Sequence, residues 1–316
     1  MWGLPNAFGI GKARGLSTSL SAWGCTFGIW KEQAIETTRP AAHARPFLAG
    51  MAALGFVLAL AWELFVFPLA DTIEADTFVV LACLFYGMVY GPVVVLALAF
   101  CWICSVKGWA AGNRSPSRLG AALGIGGAAA LLVAGFGWLN GGLVTGESSV
   151  PGRGGWFLLL GGALLLLQIA AEELLLRGWL LQTLREAFGQ SAAIAVTALA
   201  FAMWNLAGAP LAVLPAFNLI LLGFVLGVAA DHFGGIAIPI AARLGWTIAA
   251  ELLLGINPNP GTGAFGALFD LDLTGGSLWG GTEAGLAHSL GTSAVLVAIL
   301  LPLVQANRLR AAALPA

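Results

Sequence analysis

The chain has 316 residues, of which 59% are hydrophobic and 9% are charged, whereas soluble domains carry roughly 25% charged residues. This composition excludes an ordinary soluble domain, and a formal net charge of −1 gives no indication of nucleic-acid binding. Glycine is abundant at 44 residues, which is typical of closely packed membrane helices. We therefore predict an all-α, polytopic membrane helix bundle in contact with the lipid bilayer.

Residues 1–46 are predicted to be a cytoplasmic N-terminal segment that either lies on the membrane surface or serves as a docking arm. The segment lacks the short apolar core of a secretory signal peptide, and it carries Trp2, Trp23 and Trp30 among serines and basic residues. The membrane domain follows as residues 47–316. Its apolar runs predict eight transmembrane spans, at 47–69, 78–106, 119–144, 156–182, 190–207, 211–231, 236–255 and 285–306.

Basic residues in short loops predict the orientation, because cytoplasmic loops carry an excess of lysine and arginine. With eight spans, one side has the basic residues Lys12, Arg14, Lys31, Arg39, Arg45, Lys107, Arg114, Arg118, Arg185, Arg308 and Arg310. The opposite side has only Arg153. We therefore expect both termini to be cytoplasmic, and the inner membrane of a bacterium is the expected location.

Two further stretches of the sequence have distinctive compositions. Residues 256–284 are rich in glycine and contain Asn257-Pro258-Asn259-Pro260, so we predict an ordered or lid-like external loop before the last span. Cys101 and Cys104 form a C-x-x-C pattern inside an apolar run. There we expect them to act as small apolar residues rather than as a redox or metal pair.

A few charged residues lie within the predicted spans, where each costs about 2.5–3.5 kcal/mol on insertion scales. They are Glu63, Glu172, Glu173, Arg177, Arg243 and Glu251; no role is assigned to Glu63 or Glu251. Glu173 and Arg177 are four residues apart and are expected to pair on one helix face. Glu172 projects about 100° away, which leaves it available as a general base for a water or for another partner. The alternative is a helix end whose arginine extends to the membrane surface.

The order of these residues resembles a known family. Glu172-Glu173-x-x-x-Arg177, at the end of an apolar helix, resembles the first motif of the CPBP family of CAAX-type intramembrane proteases. Phe201-x-x-x-Asn205 resembles the second motif of that family, Phe-x-x-x-His, at the usual separation but with asparagine at the histidine position.

The third motif of the family is a histidine followed four residues later by asparagine; those two positions are occupied here by Arg243 and Thr247. The resemblance covers about 155–255 and implies a CAAX-protease-like core. It also implies that the first motif would be catalytic in an active member and that Phe201, Asn205, Arg243 and Thr247 would line the cavity.

The family resemblance implies a bound metal, and the two substitutions replace the histidines that would be its ligands. Zinc prefers imidazole, thiolate or carboxylate ligands, whereas asparagine is a weak neutral ligand and arginine has no lone pair to donate. The histidines of this chain, His43, His232 and His288, are expected in a tail, a turn and the last span, away from the motif positions. We therefore expect no cofactor, and zinc only if the chain is an active protease. We also predict that Arg243 pairs with Glu172 and so supplies the positive charge that the metal would have carried. The rival arrangement has Arg243 extending to the cytoplasmic headgroups.

Three functions remain open from the sequence. The first is a catalytically silent family member that acts as a scaffold, assembly factor or accessory subunit, with other membrane-protein subunits as partners. The second is an active glutamate-dependent endopeptidase of the CAAX type. The third is a binder of a lipophilic molecule that uses the cavity of the fold.

Overall fold

The computed structural model of the protein describes residues 44–70, 72–106, 112–146, 155–208, 212–256 and 265–313. The predicted N-terminal segment up to residue 43, including His43, lies outside this description, as does 257–264 of the predicted external loop. The helices are α1 Ala44–Ala70, α2 Phe78–Ile103, α3 Pro116–Leu139, α4 Gly155–Glu173, α5 Leu181–Phe188, α6 Gln190–Asn205, α7 Val213–Phe233, α8 Ala237–Thr247 and α9 Leu290–Ala313.

Two π-helical segments extend helices of the bundle. Leu174–Leu180 joins α4 to α5, so that one continuous helix runs over Gly155–Phe188, and Ile248–Leu253 extends α8. Isolated π-helical turns inside helices frequently occur at functional sites. Both segments lie directly beside residues that the motifs single out.

Within the described residues, six helices are long and apolar enough to cross a membrane, and these are α1, α2, α3, Gly155–Phe188, α7 and Leu290–Arg310. The membrane protein predicted from composition is thereby confirmed. Predicted spans five and seven correspond to α6, with 16 residues, and to α8, with 11 residues before its π segment. A 16-residue helix is about 24 Å long, which is shorter than the hydrocarbon core of about 30 Å. The count of eight spans remains a prediction.

The residues after α3 and the described part of the predicted external loop contribute two short strands, which an all-helical prediction does not include. Strand β1, Leu143–Thr145, pairs antiparallel with strand β2, Leu271–Leu273. A 3₁₀ turn over Leu286–His288 precedes α9, which begins at Leu290 rather than at 285. His288, expected in the last span, therefore lies in this turn.

Helices α3 and α8 approach so closely that their backbones touch. A Cβ atom added to Gly126 would lie 1.8 Å from the carbonyl oxygen of Ala242, and one added to Gly245 would lie 1.9 Å from that of Leu123. Only glycine permits this separation, as in other membrane helix pairs that use small residues at the contact. The contact matters for the site because α8 also carries Arg243.

We expect Gly126→Ala to destabilise the protein while Gly124→Ala, two residues earlier, does not. The added methyl group at Gly126 must push α8 away, at a cost of about 1–3 kcal/mol for overpacking. At Gly124 a Cβ atom has no neighbour within 4 Å, and alanine is the better helix former by about 1 kcal/mol. Thermal unfolding in detergent micelles should therefore separate the two variants. Equal midpoints would contradict the close approach of α3 and α8.

Candidate functional site

The motif residues converge from three helical segments that are distant in the sequence. Glu172 and Glu173 are the last residues of α4, and Arg177 lies in the π segment that follows. The second motif lies on α6 and the third lies on α8. Trp179, fully buried two residues after the arginine, packs on α2 through Phe100 at 4.9 Å between ring centroids. This contact fixes the end of α4 against the bundle.

Two arginines and two glutamates form a buried ion-pair cluster. Arg177 Nη1 donates to Glu173 Oε1 at 3.0 Å, as the spacing of four predicts. Arg243 Nη2 pairs with Glu172 Oε2, and Arg243 Nη1 lies 3.5 Å from Glu173 Oε1. Arg243 is only 8% exposed. The predicted pairing of Arg243 with Glu172 is therefore confirmed, and the rival placement of its guanidinium among headgroups is wrong.

The ring of Phe201 lies close to both guanidinium groups of this cluster. Its centroid lies 4.5 Å from Arg177 Cζ and 5.0 Å from Arg243 Cζ, within the range of a cation–π interaction. Asn205, one turn further along α6, donates from Nδ2 to the carbonyl of Phe201 at 2.9 Å. Its Oδ1 accepts from Arg243 Nη2 at 3.5 Å. The second motif thus holds the arginine of the third in place.

Gln168 belongs to the site although the sequence reasoning missed it. Its Nε2 donates to Glu172 Oε1 at 3.1 Å, so the first carboxylate has a partner at each oxygen and is not held free as a base. The spacing of four residues between Gln168 and Glu172 on one helix could have indicated this contact. Glu63, buried on α1, lies within electrostatic range of Glu172 and Arg243, a proximity between helices that the sequence does not reveal.

A cavity of about 380 Å³ lies beside the cluster. Arg243, Asn205 and Thr247 line one part of it, together with Gln168 and Glu251. The volume falls in the range of small-molecule sites, about 300–1,000 Å³. The structure thus brings together Phe201, Asn205, Arg243 and Thr247, the four residues expected around the cavity, all of which line its wall.

The 3₁₀ turn before α9 covers another part of the cavity. Asn218, buried on α7, donates from Nδ2 to the carbonyls of Ala287 at 2.7 Å and Ser289 at 2.9 Å. Its Oδ1 accepts from Ser293 Oγ at 2.6 Å. Asn218 therefore fixes the covering turn to the bundle, and a polar residue in an apolar helix was the available sequence indication.

The residues at this site do not fit a zinc ion. Arg243 pairs with Glu172 Oε2, and its guanidinium has no lone pair with which to bind a metal. The Asn205 oxygen already accepts from that guanidinium. Among the residues that the structure describes, no three His, Cys, Asp or Glu side chains gather as metal ligands would. His232 lies at the end of α7 and His288 in the covering turn, and neither is at a motif position.

The buried cluster of Glu172, Glu173, Arg177 and Arg243 lies at the end of α4, and of these four residues Arg243 lines the adjacent cavity. Residues 154–249 match the family model described as Type II CAAX prenyl endopeptidase Rce1-like. The resemblance to the CPBP family stated from the motifs is confirmed over this segment. No curated protein and no solved structure gives a significant match to the chain.

Proposed function

We propose that this Rce1-like membrane protein is catalytically silent and acts as a scaffold, assembly factor or accessory subunit of a membrane complex. The observation that carries the proposal is the contact of Arg243 with both Glu172 and Glu173. A general base needs a carboxylate oxygen that can take a proton from a positioned water. Here Gln168 and Arg243 engage the two oxygens of Glu172, and the charges of the four-residue cluster cancel.

A cleavage assay with prenylated CAAX peptides tests the silent state. We expect the purified protein to release no product, and Glu172→Gln to be indistinguishable from the unaltered protein, because its carboxylate is engaged in an ion pair. A prenyl endopeptidase assayed in parallel provides the positive control. Robust cleavage that is abolished by Glu172→Gln would instead establish the alternative, an active glutamate-dependent endopeptidase.

The role as a subunit has a separate test. Gentle solubilisation of the source membranes and affinity purification should yield the chain in a stoichiometric complex with other membrane proteins. We also propose that the N-terminal segment 1–46 contributes a cytoplasmic docking surface, so its deletion should release partners while leaving the membrane domain folded. Isolation of the full chain as a monomer under these conditions would contradict the subunit role.

The proposed topology places both termini in the cytoplasm, in the inner membrane of a bacterium. Thr274, exposed at the end of β2 in the external loop, is a suitable reporter position. A cysteine there, in a chain without its native cysteines, should react with an impermeant maleimide from the periplasmic side of spheroplasts. Arg118→Cys, at the start of α3, should react only after the membrane is permeabilised. The reverse pattern would invert the orientation.

A second candidate function is the binding of a lipophilic molecule, and the cavity of about 380 Å³ favours it. Leu222 on α7 lines an apolar part of that cavity. Mass spectrometry of an organic extract should reveal a defined, stoichiometric lipid or isoprenoid, and Leu222→Trp should displace it by filling the space. An extract that contains only bulk lipid in both proteins would leave the scaffold role as the better account.

A further inference from the structure

An apolar turn in the external loop folds back along the side of the bundle. Trp279 contacts Phe136 of α3, with 5.9 Å between the ring centroids. Phe136 lies three residues before the end of α3 at Leu139, which is about 4.5 Å inside the helix end. The turn 277–280 therefore lies level with the last turn of a membrane helix rather than beyond it.

Backbone packing fixes the turn 277–280 at that depth. A Cβ atom added to Gly137 would lie 3.3 Å from the Cα of Gly280, and one added to Gly280, where φ is +78°, would lie 2.1 Å from Gly137. The two backbones thus touch through glycines. The carbonyl of Ser277 also accepts from the backbone N–H of Leu290 at 3.0 Å, so the turn is tied to the start of α9.

The side chains at the tip of this turn are large, apolar and exposed. Leu278 is 55% exposed and Trp279 is 43% exposed. The last turn of α3, which the turn 277–280 contacts through Phe136 and Gly137, also exposes Trp138 and Leu139, and the start of α4 exposes Trp156. Trp138 and Leu139 continue the exposed apolar surface of α3 to its last turn. Tryptophan at both ends of a membrane bundle is typical of the headgroup layer, and Trp102 is exposed at the opposite end.

We propose that the turn 277–280 is a membrane anchor, with Leu278 and Trp279 inserted between the headgroups and acyl chains of the leaflet at the end of α3. The partner is the lipid surface, because the turn packs on α3 beside its exposed apolar residues and lies level with the last turn of that helix. The indole of Trp279 combines an apolar ring with one N–H donor, as this layer requires. Through Ser277 and Leu290 the anchor is joined to the turn that covers the cavity.

Depth measurements on a single label test this proposal. A cysteine replaces Leu278 in a chain whose four native cysteines are alanine, and a polarity-sensitive fluorophore is attached in lipid nanodiscs. We expect strong quenching by lipids that carry a nitroxide near the headgroup, and several-fold weaker quenching by iodide than at Thr274→Cys, an exposed polar position in the same loop. Equal iodide quenching at the two positions would place Leu278 in water and overturn the anchor.

Protection of the label by protein, and a variant that displaces the turn, are two further outcomes that test the anchor. Shielding of the Leu278 label from both quenchers would indicate coverage by protein, such as a second copy of this chain, and would also overturn the proposal. Gly280→Ala in the labelled chain should lift the turn from α3, because its methyl group meets the Gly137 backbone, and should raise iodide quenching several-fold. If that variant does not fold, the comparison of Leu278 with Thr274 still decides the matter.

Discussion

Replacing Arg243 by alanine should lower the free energy of unfolding by about 3–5 kcal/mol, the usual cost of removing one partner from a buried ion pair. The guanidinium is buried and contacts both Glu172 and Glu173. Without it, two buried carboxylates share the single charge of Arg177. Chemical or thermal unfolding in detergent micelles measures the loss. Adding Glu172→Gln should recover part of it, because the uncompensated charge is then removed.

Arg185→Ala is the matched control for this measurement. Arg185 also pairs with a carboxylate, that of Asp231, but its side chain is 34% exposed. Gln190 and Asn307 also donate to Asp231 and remain in the variant. Pairs of this kind contribute about 0–1 kcal/mol. If Arg243→Ala proves no more harmful than Arg185→Ala, or if Glu172→Gln gives no recovery, the ion-pair cluster is not what stabilises the site.

The second large effect is expected when histidines replace Asn205 and Arg243 together. Those two side chains lie 3.5 Å apart, and Arg243 reaches Glu172, so two imidazoles would face a carboxylate. Removing the arginine also leaves the carboxylates in need of a cation. We expect the double variant to bind Co²⁺ or Zn²⁺ at least about 100-fold more tightly than the unaltered protein, equivalent to about 2.8 kcal/mol.

The visible absorption of Co²⁺ in a tetrahedral site measures this binding directly and does not depend on cleavage activity. Asn205→His alone retains the positive charge of Arg243, so it should bind cobalt no better than the unaltered chain. This single variant is the control for an added imidazole. Stoichiometric metal binding by the unaltered protein, or equal weak binding by all three proteins, would contradict the interpretation of Arg243 as an electrostatic substitute for a metal.

Composition and local spacing were sufficient for several features of this protein. Long apolar runs with few charges predicted a polytopic membrane protein, because segments that cross the hydrocarbon core must be apolar and must satisfy their own backbone hydrogen bonds. The pairing of Glu173 with Arg177 followed from their spacing, because residues four apart share a helix face in any helix. The order and spacing of the three motifs identified the Rce1-like segment.

The π segments and the two short strands were not predicted. The bounds of spans five and seven agree within two residues with α6 and with α8 plus its π segment, but α8 changes to π-helical hydrogen bonding after Thr247. Hydropathy registers apolar composition and does not register where the backbone changes its hydrogen-bonding pattern. The β1–β2 pair was missed because Leu143–Thr145 and Leu271–Leu273 are three-residue strands far apart in the sequence.

The sequence by itself determined which residues are charged within the membrane and which of them pair inside one helix. Only the tertiary structure decided that Arg243 engages Glu172, that Gln168 and Asn205 complete the cluster, and that Asn218 holds the turn over the cavity. The reason is physical. Contacts within a helix follow from its fixed geometry. Contacts between helices depend on their rotation and separation, which here are set by close backbone approaches such as those at Gly126 and Gly245.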